Sequence, residues 1–364
     1  MRTGLILYGS LDGSSGGYLY DRMLVEHLRR AGDRVELLSL PWRNYARHMG
    51  DNFSASLLRR LEQALDGLDL LLQDELNHPS LFLLNRRLKA RRGAGLPVIA
   101  IVHHLRSSEA RPAWQNRLYR AVERRYLQGV DGFIFNSRTT REEVVKALGG
   151  RAPDRQVVAY PAADHRQPEI EEAEIAARAC EPGPLRVLFA GNLIPRKGVH
   201  TLLEAAGRLP EGRVALTIAG SPQADRAYAR RLQAQAEGLG GRVRFLGRVE
   251  DSALRALMRE SHVLAAPSSY EGFGIVYLEG MGFGLPAVGG AAGAAGELIT
   301  PGENGFLVPP GEAGPLAGRL AELAADRPRL ARMGRAARRR YLAHPTWEQS
   351  AAQAREFLLS CLTA

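Results

Sequence analysis

The sequence predicts an α/β protein of two parallel-sheet domains, and three observations carry that reading. Short, almost wholly apolar runs recur, among them Leu5 to Tyr8, Pro97 to Val102, Gly132 to Phe135, Leu185 to Ala190 and Val263 to Ala266. Runs of this length and character are the pattern of strands buried on both faces. In each half, one such run passes into a glycine-containing loop and then a helix start, at Gly9 to Gly17 and at Gly191 to Gly198. A chain of 364 residues also exceeds one ordinary core and suits two domains of about 150–200 residues.

Composition narrows the class. Hydrophobic residues make up 45% of the chain, enough to fill two cores, and no stretch approaches about 18 uninterrupted apolar residues. The first strand begins almost at once, so no signal peptide is expected and the protein is expected in the cytoplasm. Cys180 and Cys361 stand far apart without metal-ligand spacing, which reads as two reduced thiols. The net charge is +10, with 25 basic against 18 acidic residues up to residue 165 and 24 against 21 beyond it. That excess favours an anionic partner for the first half: a phospholipid surface, a phosphorylated acceptor or nucleic acid. No nucleic-acid-binding signature accompanies the charges, so nucleic acid is not expected.

The stretch Ser268-Ser269-Tyr270-Glu271-Gly272-Phe273-Gly274-Ile275-Val276-Tyr277-Leu278-Glu279 organises the rest. The run ending at Pro267 reads as a buried strand, which puts Glu271 in the loop at a strand's carboxyl end. Gly272 and Gly274 let the backbone pass close to a ligand there. From Ile275 a helix begins, and its free N–H groups can hold an anion. Two carboxylates for hydroxyls beside a helix N-terminus for phosphate describe a nucleotide-sugar site. The second cation-bearing element is Asn192-Leu193-Ile194-Pro195-Arg196-Lys197-Gly198, again strand, loop and helix start. A departing nucleoside diphosphate gains negative charge, which Arg meets through paired N–H groups and Lys as a compact charge. No Asp-x-Asp stands in a suitable loop, so Arg196 and Lys197 are expected to meet that charge and no metal site is expected.

In the first half a strand (Leu5 to Tyr8), the loop Gly9 to Gly17 and a helix from about Tyr18 to Ala31 come first. Strands follow at Arg34 to Leu40 and Leu68 to Leu72. The polar cluster Gln73-Asp74-Glu75-Leu76-Asn77-His78 closes the latter. Two readings stand for Asp74, Glu75 and His78: an acceptor pocket at the carboxyl end of the sheet, or a capped helix start with solvated charges. Pro97 to Val102 ends in His103-His104-Leu105-Arg106, two histidines at a strand mouth with an arginine beside them. Arg117, Arg120, Arg124 and Arg125 recur at helical spacing near Trp114, after the basic run Arg86 to Arg92. This is either a solvated face in an arginine-rich protein or a peripheral contact with an anionic membrane. In the second half, strands are expected at Val214 to Gly220, Arg242 to Val249, Pro286 to Val288 and Asn304 to Pro309.

Glu271 and Glu279, eight positions apart with Gly-Phe-Gly between them, resemble the E-x7-E signature of family 4 of the retaining glycosyltransferases, whose fold is GT-B. The resemblance spans the chain and is strongest from 185 to 312. It implies two Rossmann-like domains facing across a cleft, with a UDP- or GDP-sugar as donor substrate and no other cofactor. It gives Glu271 to the sugar hydroxyls, the Phe273, Gly274 and Ile275 region to phosphate or sugar, and Glu279 to the ribose. Gly16 and Gly17 fall nearest the donor, and the stretch Arg242 to Val249, with Arg248, beside the base. His103 takes the place near the anomeric carbon. His104 stands where many relatives have Asp, which leaves the assignment between the two histidines open. Asn192 replaces the first Arg of the family's G-R-x-x-x-K-G stretch, and Pro161-Ala162-Ala163-Asp164 departs from the usual Asn-Gly-Val-Asp.

The expected organisation is an acceptor-binding domain over 1–165, with Asp74, Glu75, His78, His104 and Arg106 as acceptor candidates. A linker over 166–184 and a nucleotide-sugar domain over 185–342 follow, then a helix over 343–364 returning to the first domain. The expected activity is retaining, metal-independent transfer of a sugar to a lipid, polysaccharide or small glycoside. Its rivals are a GT-B epimerase or phosphorylase, and a binding protein without catalysis.

Overall fold

The computed structural model describes residues 1–13, 15–92 and 95–362, and the side chains of Arg91 and Arg92 are not among the features described. Ser14 of the glycine-rich loop and the end of the basic run therefore lie outside the description below. The chain divides into two compact units, one of residues Met1–Pro161 with Trp347–Ala364, the other of Ala162–Thr346.

The first unit is built on six strands: β1 (Arg2–Tyr8), β2 (Arg34–Leu40), β3 (Leu70–Asp74), β4 (Val98–Val102), β5 (Gly132–Phe135) and β6 (Gln156–Val158). They pair in parallel in the order β2-β1-β3-β4-β5-β6. Every residue of β3 and β4 is buried, whereas edge strand β2 exposes four of its seven residues. That contrast follows from helices covering both faces of a parallel sheet. β3 lies two residues later than its apolar run suggests, because Gln73 and Asp74 continue the ladder opposite Ala100 and Ile101. The shift carries Asp74 to the same sheet edge as the end of β4. The helix Trp347–Ser360 belongs to this unit. Its Trp347 ring meets Tyr20 edge-on at 5.8 Å, and Arg355 Nε donates to Asp33 at 2.7 Å.

The second unit repeats the plan with β7 (Leu185–Ala190), β8 (Val214–Ala219), β9 (Val243–Gly247), β10 (Val263–Ala266), β11 (Ala287–Gly290) and β12 (Gly305–Val308). Their order is β12-β11-β10-β7-β8-β9, all parallel. The chain winds outward from β7 to β9, then restarts at β10 on the other side of β7. That reversal is the topological switch point, the place where open α/β sheets commonly bind ligands.

Residues 166–184, read from composition as a linker, contain the helix Glu172–Ala179 within the second unit. Its Arg178 is buried and donates to the carbonyls of Arg259 (2.9 Å), Phe283 (2.9 Å) and Gly284 (3.1 Å). Those carbonyls close the helices Asp251–Glu260 and Ile275–Gly282, which satisfies C-terminal groups that would otherwise be orphaned. No helix among the described residues is long and apolar enough to cross a membrane.

Candidate active site

The switch point of the second unit brings together the loop after β7 and the loop after β10. Ser269 N–H donates to the Arg196 carbonyl at 2.7 Å. Gly198 has φ +70°, and a Cβ on it would stand 2.2 Å from the Pro267 carbonyl oxygen, so only glycine allows the two loops to touch here. The contact delivers Lys197 to Glu271: Lys197 Nζ lies 2.5 Å from Oε1, and Ser268 Oγ donates to the same oxygen at 2.6 Å. Arg196 Nη1 donates to the Tyr270 carbonyl at 2.7 Å and stands 3.6 Å from Glu271 Oε2. Glu271 is 5% exposed. Burial alone would raise its carboxyl, but the charges of Lys197 and Arg196 bring it down to about 2. A buried carboxylate and two cations thus share one loop junction, compensating one another's desolvation.

Gly274, with φ +92°, starts the helix Ile275–Gly282. Tyr277 Oη donates to the Ala266 carbonyl at 2.6 Å, which ties the helix's first turn to the end of β10. Glu279, one turn in, faces His165 and Arg166. Its Oε1 lies 3.0 Å from His165 Nε2 and accepts from Arg166 Nε at 2.7 Å, while Arg166 Nη1 reaches Asp251 at 2.6 Å. Burial pushes the Glu279 carboxyl up, and His165 and Arg166 overcome it to leave the group at about 2. Phe273 is buried with its ring 5.7 Å from that of His344. Asn192 and Ile275 are half-buried at the two loops, and the Asn192 carbonyl accepts from Ile194 at 3.0 Å. Arg248 is exposed and follows edge strand β9, two strands from β7. The fold therefore does not bring it to Lys197 and Glu271.

In the first unit the carboxyl ends of β3 and β4 hold a second group of charges. His103 directly follows β4 and is buried. Its Nε2 lies 3.1 Å from Oδ1 of Asp21, on the helix Gly16–Arg30. Its carbonyl accepts from Asn136 Nδ2 at 2.8 Å and Thr140 Oγ1 at 3.4 Å. Gly17 is half-buried against the imidazole, and a Cβ there would stand 3.1 Å from His103 Cδ2, while Gly16 is exposed. Burial would strip the proton from His103, but the carboxylates of Asp21, Asp74 and Glu75 push it up to about 9. Burial in turn pushes Asp74 and Glu75 up to about 7.

The two histidines part company: His104 is half-buried with Nε2 2.9 Å from Glu109 Oε1, and Glu109 also takes Arg111 at 2.6 Å. His78 has Nδ1 3.0 Å from the Glu75 carbonyl and Nε2 3.1 Å from Tyr45 Oη. Its burial holds it near 4. The exposed Arg106 spreads its guanidinium over the rings of Tyr45 and Tyr119, 5.4 and 5.0 Å from their centroids. So Asp74 joins His103, whereas Glu75, His78 and Arg106 gather around Tyr45, and His104 stands with Glu109.

Two sets in this unit have donor atoms within 4.8 Å of one another, Asp21 with Asp74 and His103, and Glu75 with His78 and Glu123. In the second set both ring nitrogens of His78 already meet oxygen partners. In the first, His103 Nε2 is committed to Asp21.

Sequence reasoning gave no role to Asp21, Ser268, His165 or Arg166. A signal for Asp21 exists, since it shares the stripe of Leu24, Val25 and Leu28 at helical spacing, all buried, where an acid is out of place. His165 and Arg166 carry no such local signal, because their partner lies more than a hundred residues away.

The arginines at 117, 120, 124 and 125 lie exposed on the helix Ala113–Leu127, with Trp114 66% and Leu118 44% exposed beside them.

Comparison with known proteins agrees with this architecture. The family model "Glycosyltransferase Family 4" matches residues 20–167, and "Glycosyl transferases group 1" matches residues 171–340. A phosphatidyl-myo-inositol mannosyltransferase of Mycobacterium leprae (strain TN) is 29% identical over 370 residues, covering 94% of this chain and 93% of its own. A glycogen synthase of Mycobacterium tuberculosis (strain CDC 1551 / Oshkosh) is 28% identical over 260 residues, or 70% of this chain. The match spans only 60% of that synthase's length. Among solved structures, Anabaena HepE in complex with UDP and glucose superposes with a TM-score of 0.78 at 22% identity, covering 99% of this chain and 100% of its own. With one family model matching in each half of the chain and a GT-B neighbour matching end to end, the chain belongs to glycosyltransferase family 4 and has its GT-B fold.

Proposed function

We propose that the protein is a retaining, metal-independent glycosyltransferase that moves a sugar from a nucleotide-sugar donor to a hydroxyl group of an acceptor. The observation that carries this is the buried junction of Lys197, Arg196, Ser268 and Glu271 at the switch point of the second unit. Breaking the bond between the anomeric carbon and the phosphate oxygen leaves charge on the diphosphate. Arg196 and Lys197 are the groups set to receive it, already oriented and partly shielded from water. Glu271 then serves sugar hydroxyls as its two cations turn to the diphosphate, and Glu279 serves the ribose. The first unit supplies the acceptor side, with Glu75, His78 and Arg106 around Tyr45 and with His103. The acceptor oxygen bonds the anomeric carbon, and its proton passes to the departing phosphate oxygen on the same face, so configuration is kept. The UDP and glucose in HepE support a UDP-sugar as the donor, and a relative named as GDP-mannose-dependent supports a GDP-sugar.

A donor that binds the folded state raises its melting temperature by mass action. A thermal-shift screen of UDP-, GDP- and ADP-sugars therefore identifies the base, and turnover with that donor is expected to be unchanged by EDTA. A rate that collapses with the chelator and returns with magnesium or manganese overturns the metal-free mechanism.

The acceptor side also carries the exposed Trp114 and Leu118 among four arginines, a face suited to anionic lipid. Binding to vesicles containing anionic lipid, weakening as salt rises, is the expected result. Equal binding to neutral vesicles, or none to either, leaves a soluble acceptor as the partner.

A further inference from the structure

Asp21 is fully buried on the apolar stripe of its helix, where an aliphatic side chain would pack better. Its Oδ1 meets His103 Nε2 at 3.1 Å, and its Oδ2 has no hydrogen-bond partner among the described residues. A buried carboxylate half satisfied by one imidazole is a poor device for stability. The ring it holds is unusually constrained. Tyr20 lies edge-on to it at 5.4 Å, Gly17 packs against Cδ2, and Asn136 and Thr140 fix the residue's carbonyl.

We propose that Asp21 is a positioning residue for glycosyl transfer: it binds Nε2–H of His103 and keeps the ring an imidazolium whose second N–H can donate to a substrate oxygen at the carboxyl end of the first unit's sheet. The inference rests on the transferase reading above. In a neutral ring with Nε2–H given to Asp21, Nδ1 carries only a lone pair and cannot donate. Protonation turns that nitrogen into a donor, which suits an oxygen gaining negative charge. The groups facing the ring are Asp21 from the first helix, Asp74 from the end of β3, Glu75 from the turn after it, and the neutral Tyr20. All three charged neighbours are acids. Together they outweigh burial and favour the proton on His103, and Asp21 is the one bonded to it.

The experiment is Asp21→Asn in the full chain, with two readouts. Ring titration is followed by 15N NMR on histidine-labelled protein, with His103→Ala identifying the resonance. In the wild type the ring is expected to hold its proton to about pH 9. In the variant the midpoint is expected to fall by about 1–3 units, the scale for losing an adjacent opposite charge. Turnover at pH 8 is expected to drop by about 2- to 10²-fold, according to how far the midpoint falls, with donor KM within about threefold, the alkaline limb of kcat moving with the ring. Asp21→Glu, which keeps the charge, is expected to restore the high titration, and it takes over the test if Asp21→Asn does not fold. An unmoved ring, or a pH–kcat profile unchanged while the ring moves, overturns the inference. A wild type inactive with every donor instead overturns the transferase reading.

Discussion

Replacing Lys197 with alanine is expected to lower turnover by about 10²–10³-fold, the scale for removing one preorganised charge donor. Arg196→Ala is expected to do the same by a cleaner route. The Lys197 ammonium is 2.5 Å from Glu271, so its removal also leaves a buried carboxylate without its nearest cation. Arg196 is 3.6 Å away and leaves the Lys197–Glu271 pair in place. The two variants should therefore agree in kcat and differ in stability, with Lys197→Ala melting at the lower temperature. Steady-state rates at saturating donor beside thermal melts make the comparison. If both variants keep their rate within about fivefold, the diphosphate is not held at this junction.

Acid is expected to loosen the second unit over a defined window. Glu271 and Glu279 both fall from an ordinary 4.5 to about 2 in the folded chain. A carboxyl depressed on folding stabilises above its unfolded pKa and loses that contribution as pH drops through the folded value. The window therefore runs from about 4.5 down to 2. Each group would contribute about 3 kcal/mol at neutral pH at 1.36 kcal/mol per unit. The loss belongs to the second unit, whose switch-point loops and helix these carboxylates hold. Urea midpoints at pH 6 and pH 3, read by hydrogen exchange at Ala266 and Tyr277, should fall sharply at the lower pH. Equal midpoints would mean that the pairs with Lys197 and Arg166 do not persist in solution.

Much of the second unit was legible because its chemistry is local. The apolar run from Leu185 and the Pro-Arg-Lys-Gly after it announce a strand and a cation-bearing loop. The carboxylate at Glu271 stands just ahead of Gly274 and its helix in the same way. What no local pattern shows is that the two loops meet. That depends on the strand order β10-β7 and on Gly198 lying against Pro267. Arg178 was hidden for a similar reason: acidic and proline-rich neighbours suggest a linker, while its carbonyl partners lie about eighty and a hundred residues on. β3 was displaced by two positions because Gln73 and Asp74 are polar, and strand length was judged from apolar residues alone. Their burial is compensated by partners that no window sees, Asn85 for Gln73 and the turn amide of Leu76 for Asp74.

The central claim is transfer with retention at a phosphate held by Arg196 and Lys197. An inverting enzyme needs a general base opposite the leaving group to take the acceptor's proton. Here His103 is held by Asp21 and favoured as a cation, and Glu271, paired with Lys197 and Ser268 without donor, is given to the sugar hydroxyls in the proposed complex. Neither is a free base, whereas the departing phosphate can take the proton on the face it leaves. The direct measurement is the proton NMR coupling of the anomeric signal in the first-formed product from an α-linked nucleotide sugar. The account predicts an α-linked product; a β-linkage would contradict it.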